Sequence, residues 1–169
     1  TLLSDTIKTV VSDGVVTCSG SYIKADCIIL ATGFKANDFL PGVKITGRGA
    51  EDLKMVWKRS NGAEAHLGMA VPGFPNFFMI YGPNTNLGHN SIIFMIECQI
   101  NYILSAWQLL MKSENGSIEV KISAFESYKK KLVEELEKTA WAGNCDSWYK
   151  TATNKIVNNW SSHTVKYWW

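Results

Sequence analysis

The segment that most constrains the fold is residues 78–97, FMIYGPNTNLGHNSIIFMIE, in which two apolar runs are joined by a loop without Asp, Glu, Lys or Arg. The first run is typical of a strand, and the second begins a helix. In an open α/β sheet, such a loop presents backbone N–H groups and the positive end of the helix dipole to a ligand. The segment therefore predicts a mixed α/β fold with a ligand-facing loop.

The chemistry of this loop favours a neutral partner or a delocalised anion. Gly82 and Gly88 allow close approach of the backbone, and Pro83 stiffens the turn. The polar side chains are neutral hydrogen-bonding groups, namely Asn84, Thr85, Asn86, His89 and Asn90. Such groups suit the carbonyl oxygens and ring nitrogens of a flavin. A self-satisfied turn that only caps the helix is the alternative, and spacing alone leaves both open.

Three segments predict β-structure. Asp13 and Gly14 lie between two β-branched runs, which indicates a tight hairpin with a positive φ at the glycine. Residues 25–34, ADCIILATGF, form a continuous apolar run typical of a strand buried on both faces. Residues 75–81, PNFFMIY, predict a further buried strand that stops at the Gly-Pro pair.

Two helices follow the loop. Ser91 or Asn90 is expected to cap the first, and its apolar stripe comprises Ile92, Ile96, Ile100, Ile103, Trp107 and Leu110. Ser123 and Glu126 have the spacing of a capping box, which predicts the start of the second helix. The inner face of that helix is expected to comprise Phe125, Leu132 and Leu136.

Composition excludes several classes of protein. The 169 residues are 46% hydrophobic and 19% charged, so the chain can bury a sizeable core. A net charge of +2 from scattered basic residues argues against a nucleic-acid partner. The longest apolar stretch, residues 91–111, is interrupted by polar side chains such as Glu97, which argues against a membrane span. With no signal-peptide pattern at its start, the chain is expected to be cytoplasmic.

No metal or redox centre is indicated by the spacing of cysteine and histidine. The four cysteines, Cys18, Cys27, Cys98 and Cys145, form no CxxC pair and are interpreted as reduced core thiols. The three histidines have no carboxylate or cysteine at a ligand spacing, so no metal site is expected.

Four stretches together resemble a known family. CIILATGF, PGFPNFFMIYGPNTNLGHNSIIFMIECQINYI, SWY and NW are similar to the C-terminal portion of flavin-dependent monooxygenases of the Baeyer-Villiger class. Their near relatives include flavoproteins labelled as involved in potassium transport. The resemblance runs from about Ala25 to Trp160, and GPNTNLGHNS is its most specific part.

The resemblance implies the chemistry of a larger parent enzyme. Such an enzyme binds FAD and NADPH, forms a peroxyflavin with oxygen, and inserts one oxygen atom into a ketone or transfers it to a soft nucleophile. It also implies a small organic substrate, and it assigns no catalytic residue within this chain. The implied cofactor-binding residues are Ala31, Thr32 and Gly33 at the passage between the two cofactor domains, and Gly82, Pro83, Asn84, Thr85 and Ser91 beside the flavin.

The chain also departs from the family pattern. Neither GxGxxG fingerprint is present, so we interpret the 169 residues as a single C-terminal fragment that is inactive and binds no cofactor by itself. Residues 1–34 would end the nicotinamide-domain sheet and form a hinge, and residues 35–169 would belong to the FAD domain. The alternative is a non-catalytic binding or interaction module on a flavoprotein-derived scaffold, with homo-oligomers formed through exposed apolar surface. A disulfide reductase would require a paired-cysteine centre, which the sequence lacks.

Overall fold

Short antiparallel strands and longer helices are segregated along the chain in the computed structural model, which describes residues 2–112, 116–143 and 147–168. The chain divides into two units, Thr1–Gly33 and Phe34–Trp169. The first contains the strands, which are β1 (Ile7–Val11), β2 (Gly14–Thr17) and β3 (Tyr22–Lys24). The second contains the helices, which are α1 (Leu53–Arg59), α2 (Ile92–Met111), α3 (Ile122–Leu136) and α4 (Thr164–Trp168). The predicted mixed α/β class is confirmed.

The first unit is an antiparallel sheet of strand order β1-β2-β3. The predicted hairpin is present, but its turn lies one residue earlier than expected, because Val11 pairs with Gly14. Gly14 does not have the positive φ that we predicted. The glycine is required by close approach instead, since a Cβ at this position would lie 2.1 Å from the carbonyl oxygen of Ile23.

The apolar run of residues 25–34 does not form the predicted buried strand. Ile29 and Leu30 are 86% and 79% exposed, and the last strand of the sheet ends at Lys24. A buried strand requires neighbouring strands to bond its backbone groups, whereas the described sheet comprises β1, β2 and β3, and the run is bonded to the hairpin by the N–H of Ala25, which donates to the carbonyl of Asp13 at 3.0 Å. The sequence pattern is that of a buried strand, but the partners that would bury it are not in the described chain.

Residues 75–81 also lack the predicted strand. Asn76 and Tyr81 have φ values of 61° and 58°, and left-handed residues at both ends interrupt an extended conformation. The N–H of Met79 nevertheless donates to the carbonyl of Met69 at 2.8 Å, and the Met79 side chain is buried. The run therefore contributes to the core as an irregular segment.

The second unit has two hydrophobic clusters. One surrounds α1 and comprises Leu53, Trp57, Ala63, Ala65, Val71, Phe74 and Met79. The other lies between α2, α3 and the end of the chain and comprises Leu87, Met95, Leu132, Leu136, Trp160 and Tyr167. The candidate loop enters the second cluster through Leu87, so its position is fixed by core packing.

Helix α2 begins where predicted, with Ser91 as its N-cap accepting a hydrogen bond from the N–H of Phe94. The predicted stripe is partly wrong, because Trp107 is 58% exposed and the buried residues are Met95, Gln99 and Ala106. Gln99 is buried because it accepts from the N–H of Tyr81 at 2.9 Å and donates to the Tyr167 hydroxyl at 2.9 Å. By length and composition, this helix is able to cross a membrane, although core helices of soluble proteins satisfy the same criteria.

Helix α3 buries the predicted face, Phe125, Leu132 and Leu136. Its predicted capping box is wrong, because the helix begins at Ile122 with Lys121 as N-cap and without a side-chain capping bond. Ser123 therefore lies within the first turn.

The cysteine prediction is also partly wrong. Cys18 and Cys27 are free and exposed rather than buried in a core, and Cys98 is free and half-buried. Cys18 and Cys27 lie in the small sheet unit, where the β-meander is largely exposed and offers little interior. Cys145 lies outside the described residues.

Candidate functional site

The loop from Gly82 to Ser91 divides into a buried half and an exposed half. Residues 82–85 are buried, with Asn84 6% exposed and Thr85 1% exposed. Residues 88–91 are exposed and end at the N-cap of α2. The part of this loop that is accessible to a ligand is therefore residues 88–91, the helix entry.

Asn84 attaches the buried half to the C-terminal segment 156–160. Its side-chain Nδ2 donates to the carbonyl oxygens of Ile156 at 3.0 Å and Asn159 at 3.1 Å. Its backbone N–H donates to the carbonyl of Val157 at 2.9 Å. Both side-chain N–H donors are thereby used within the protein. Its φ of 58° is left-handed, a conformation that asparagine adopts more readily than most residues.

Thr85 is likewise bonded inside the loop. Its hydroxyl donates to the carbonyl oxygen of Gly82 at 2.7 Å, which closes the turn. Gly68 packs directly beneath, because a Cβ there would lie 2.1 Å from Thr85 Cγ2 and 2.9 Å from the carbonyl oxygen of Pro83. The side-chain donors of Asn84 and Thr85, which we expected beside a ligand, are thus engaged in holding the loop.

The exposed half carries neutral polar groups around the helix N-terminus. Asn90 Oδ1 accepts from the N–H of Ser91 at 2.8 Å, and Ser91 Oγ accepts from the N–H of Phe94 at 3.2 Å. Upstream, the Tyr81 hydroxyl donates to Asn86 Oδ1 at 2.7 Å. Burial, and secondarily the nearby Tyr149, raises the pKa of Tyr81. An exposed start of a 20-residue helix favours an electron-rich or anionic group.

The remaining predicted site residues belong to the first unit. Ala31, Thr32 and Gly33 are exposed and lie outside any strand, and Gly33 has a φ of 79°. Their predicted role at a domain passage stays a prediction.

Sequence reasoning missed an ion-pair cluster centred on Glu64. Its carboxylate binds Lys129 Nζ at 3.0 Å and Lys155 Nζ at 2.5 Å, and only 14% of its side chain is exposed. Lys129 and Lys155 lie 65 and 91 positions after Glu64, so no local sequence pattern predicts this cluster. Among the described residues, His, Cys, Asp and Glu form no group that could hold a metal ion.

Comparison with known proteins gives relatives that are much longer than this chain. The chain is 43% identical over 150 residues to a Baeyer-Villiger monooxygenase of Pseudomonas aeruginosa, a match that spans 88% of the chain and 28% of the relative. It is 42% identical over 147 residues to the FAD-binding monooxygenase ktnD of Aspergillus niger, spanning 84% of the chain and 24% of the relative. No protein-family model matches.

The fold agrees with these matches. An oxidised steroid monooxygenase bound to NADP superposes with a TM-score of 0.74 and 28% identity, covering 95% of this chain and 30% of that one. None of these names supports the potassium-transport description. The chain is thus a mixed α/β segment that matches the C-terminal region of Baeyer-Villiger-type flavin monooxygenases and spans less than a third of their length.

Proposed function

We propose that the chain is the C-terminal part of an FAD- and NADPH-dependent monooxygenase that inserts oxygen into a ketone or transfers it to a soft nucleophile. The observation that carries this proposal is 43% identity, over 88% of the chain, to a Baeyer-Villiger monooxygenase. The NADP named with the steroid monooxygenase structure and the FAD named with the Aspergillus relative support the two cofactors. A small organic substrate and a cytoplasmic location are part of the same proposal.

The exposed helix entry would face the flavin. A flavin supplies the redox chemistry when bound, and Ser91 would direct the N-terminal N–H groups of α2 toward the ring. A helix N-terminus stabilises a neighbouring negative charge by about 0.3 to 2 kcal/mol. Because residues 82–85 are buried and the side-chain donors of Asn84 and Thr85 are engaged within the protein, Gly82, Pro83, Asn84 and Thr85 would hold the helix entry in position beside the ring.

The two units would belong to different parts of the parent enzyme. Residues 1–34 would complete the sheet of the nicotinamide domain, with Ala31, Thr32 and Gly33 at the passage to the FAD domain. The exposed aliphatic run at residues 28–30 supports this assignment, because it has the pattern of a strand awaiting neighbours. Residues 35–169 would complete the FAD domain.

A chimera tests the proposal. The matched 150 residues of the Pseudomonas relative are replaced by those of this chain, and the purified protein is assayed for FAD content and for ketone-dependent NADPH oxidation. We expect retained flavin and activity above that of the relative truncated before the match. A folded chimera that binds FAD without oxygenating any substrate of the intact relative would contradict the proposal.

The isolated chain is expected to be inactive, because no GxGxxG sequence is present to hold a pyrophosphate. Gel filtration after incubation with FAD checks this expectation. Stoichiometric flavin eluting with the chain would show that the missing fingerprint is not needed for binding.

A second candidate function is a non-catalytic interaction module. The outer face of α2 favours it, since Ile93, Leu104, Trp107 and Met111 share one side of the helix and are between 53% and 69% exposed. Large exposed apolar surfaces of this kind mark association sites. Homo-oligomerisation through α2 would follow from this candidate, and an inactive, flavin-free chimera that still self-associates would favour it.

A further inference from the structure

A cavity of about 570 Å³ lies between α3 and residues 150–156. This volume is within the range of sites that enclose small organic ligands. The α3 side contributes an apolar wall that includes Phe125, Leu132 and Val133. Asn84 reaches the cavity from the buried half of the loop, whereas residues 88–91 are not among its described lining. The cavity is therefore separate from the exposed helix entry.

The polar side of this cavity is the Glu64 cluster. Lys129 Nζ lies 3.0 Å from Glu64 Oε1 and 3.1 Å from Oε2, and Lys155 Nζ lies 2.5 Å from Oε1. Lys155 also donates to the carbonyl oxygen of Ser60 at 2.7 Å. The side chains of Lys129 and Lys155 are 37% and 26% exposed, so both ammonium groups are partly shielded from water.

The charge of the lining is unbalanced. It includes the lysines 129, 150 and 155 and the glutamates 64 and 137, so three positive charges face two negative ones and the net charge is +1. Within the cluster itself, two ammonium groups share one carboxylate. Lys155 uses two of its three N–H donors in the described hydrogen bonds, which leaves one for a further acceptor.

We propose that this cavity binds an amphipathic carboxylate, with an apolar body against α3 and its carboxylate joined to Lys129 and Lys155. With Glu64 as the first carboxylate, the ligand would supply the second, so that two ammonium groups face two carboxylates. Burial of the body against Phe125 and Leu132 supplies the apolar contribution. The site is independent of the proposed monooxygenase reaction, because it uses neither the helix entry nor a cofactor.

Calorimetric titration of the 169-residue chain with sodium decanoate tests the site. We expect saturable binding of one molecule per chain. Replacing the carboxylate by a hydroxyl in decanol should weaken binding about tenfold, because the charge-assisted hydrogen bonds are lost in a partly exposed site. Decylammonium should bind more weakly still.

Two substitutions assign the binding to this cavity. Lys155→Gln should weaken decanoate binding about tenfold. The control is Lys131→Gln, which also removes one positive charge but at a position of α3 that does not line the cavity, and it should leave decanoate binding unchanged. Val133→Trp places an indole at the cavity wall from a position that is 45% exposed, so it blocks the site without disturbing the core. It should abolish saturable binding while the circular dichroism spectrum stays the same.

The outer face of α2 is the competing place for an aliphatic chain. Leu104→Ser reduces that face and should leave decanoate binding unchanged. Decanoate binding that survives Val133→Trp, or that is lost with Leu104→Ser, would overturn the proposal. Absence of saturable binding by the unaltered chain would overturn it as well.

Discussion

Asn84 donates a side-chain hydrogen bond of 3.1 Å to the carbonyl oxygen of Asn159, 75 residues further along the chain. With the bonds to Ile156 and Val157, this contact holds the loop from Gly82 to Ser91 and the segment 156–160 together. Asn86 continues the pairing, since its N–H donates to Asn158 and its carbonyl accepts from Trp160. A displacement of the C-terminal segment would therefore displace the loop that leads into α2.

Asn84→Ala is expected to lower the free energy of unfolding by about 2 to 4 kcal/mol. The substitution leaves carbonyl oxygens of the C-terminal segment without donors, and alanine is strained at a φ of 58°. Urea unfolding followed by tryptophan fluorescence measures the loss. Asn84→Gly is the matched control, because it removes the same hydrogen bonds without the strain and should be about 1 kcal/mol less harmful. Equal stability of all three proteins would contradict the role of Asn84.

Gly68→Ala and Gly73→Ala form a second matched pair. Both glycines have a positive φ, of 66° and 87°, so both substitutions introduce backbone strain of about 1 to 2 kcal/mol. Only the alanine at 68 also meets Thr85 at 2.1 Å, since a Cβ at 73 has open space around it. We expect Gly68→Ala to be the more destabilising by at least about 2 kcal/mol in urea unfolding. A smaller effect than that of Gly73→Ala would show that Thr85 moves aside at little cost.

His66 is expected to make stability depend on pH below about 6.5. Its Nδ1 is buried without a hydrogen-bond partner, and burial lowers the pKa of this histidine below its ordinary value of 6.5. The unfolded chain therefore binds the proton more readily, and stability falls as the pH decreases from 6.5 toward the lowered pKa. Urea midpoints at pH 7.5 and 5.5 measure the fall.

His66→Gln should reduce the difference between these two midpoints, whereas His89→Gln, at an exposed position, should preserve it. If both variants retain the full difference, another group is responsible for the pH dependence.

Self-association is expected to depend on the outer face of α2. Leu104 and Trp107 are 53% and 58% exposed, and replacing both with serine removes apolar area that contact with a second molecule would bury. Light scattering should give a mass above that of the monomer for the unaltered chain and a lower mass for the double variant. Gln108→Ser, an exposed polar change on the same helix, should have no effect. A monomeric unaltered chain would contradict this prediction.

The sequence predicted the elements whose signals are local. Asn90 and Ser91 precede a long apolar run, so the start of α2 could be placed to within one residue. The spacing of Phe125, Leu132 and Leu136 likewise identified the buried face of α3. These features depend on helix period and capping, which act within a few residues.

The predictions of local structure and burial are wrong where these depend on contacts with segments that are distant in the sequence. The buried stripe of α2 is rotated about the helix axis relative to the predicted stripe, because Gln99 is buried and bonds to Tyr167, 68 residues away. The spacing of apolar residues in α2 contains no information about that partner. For residues 25–34 the apolar pattern is correct for a strand, but strand formation depends on neighbours. The bonds from the Asn84 side chain to the carbonyls of Ile156 and Asn159 also join distant segments and could not be predicted from the loop sequence, and the predicted role of Asn84 at a flavin stays a prediction.

The exposed run at Ile28, Ile29 and Leu30 has a consequence for the fate of the polypeptide in a cell. An exposed aliphatic stretch that lies outside the described strands can accept a strand from another chain, which makes it a template for aggregation, and cellular proteases act on segments that are not folded. The lifetime of this polypeptide would then be determined by how quickly a neighbouring strand pairs with these three residues.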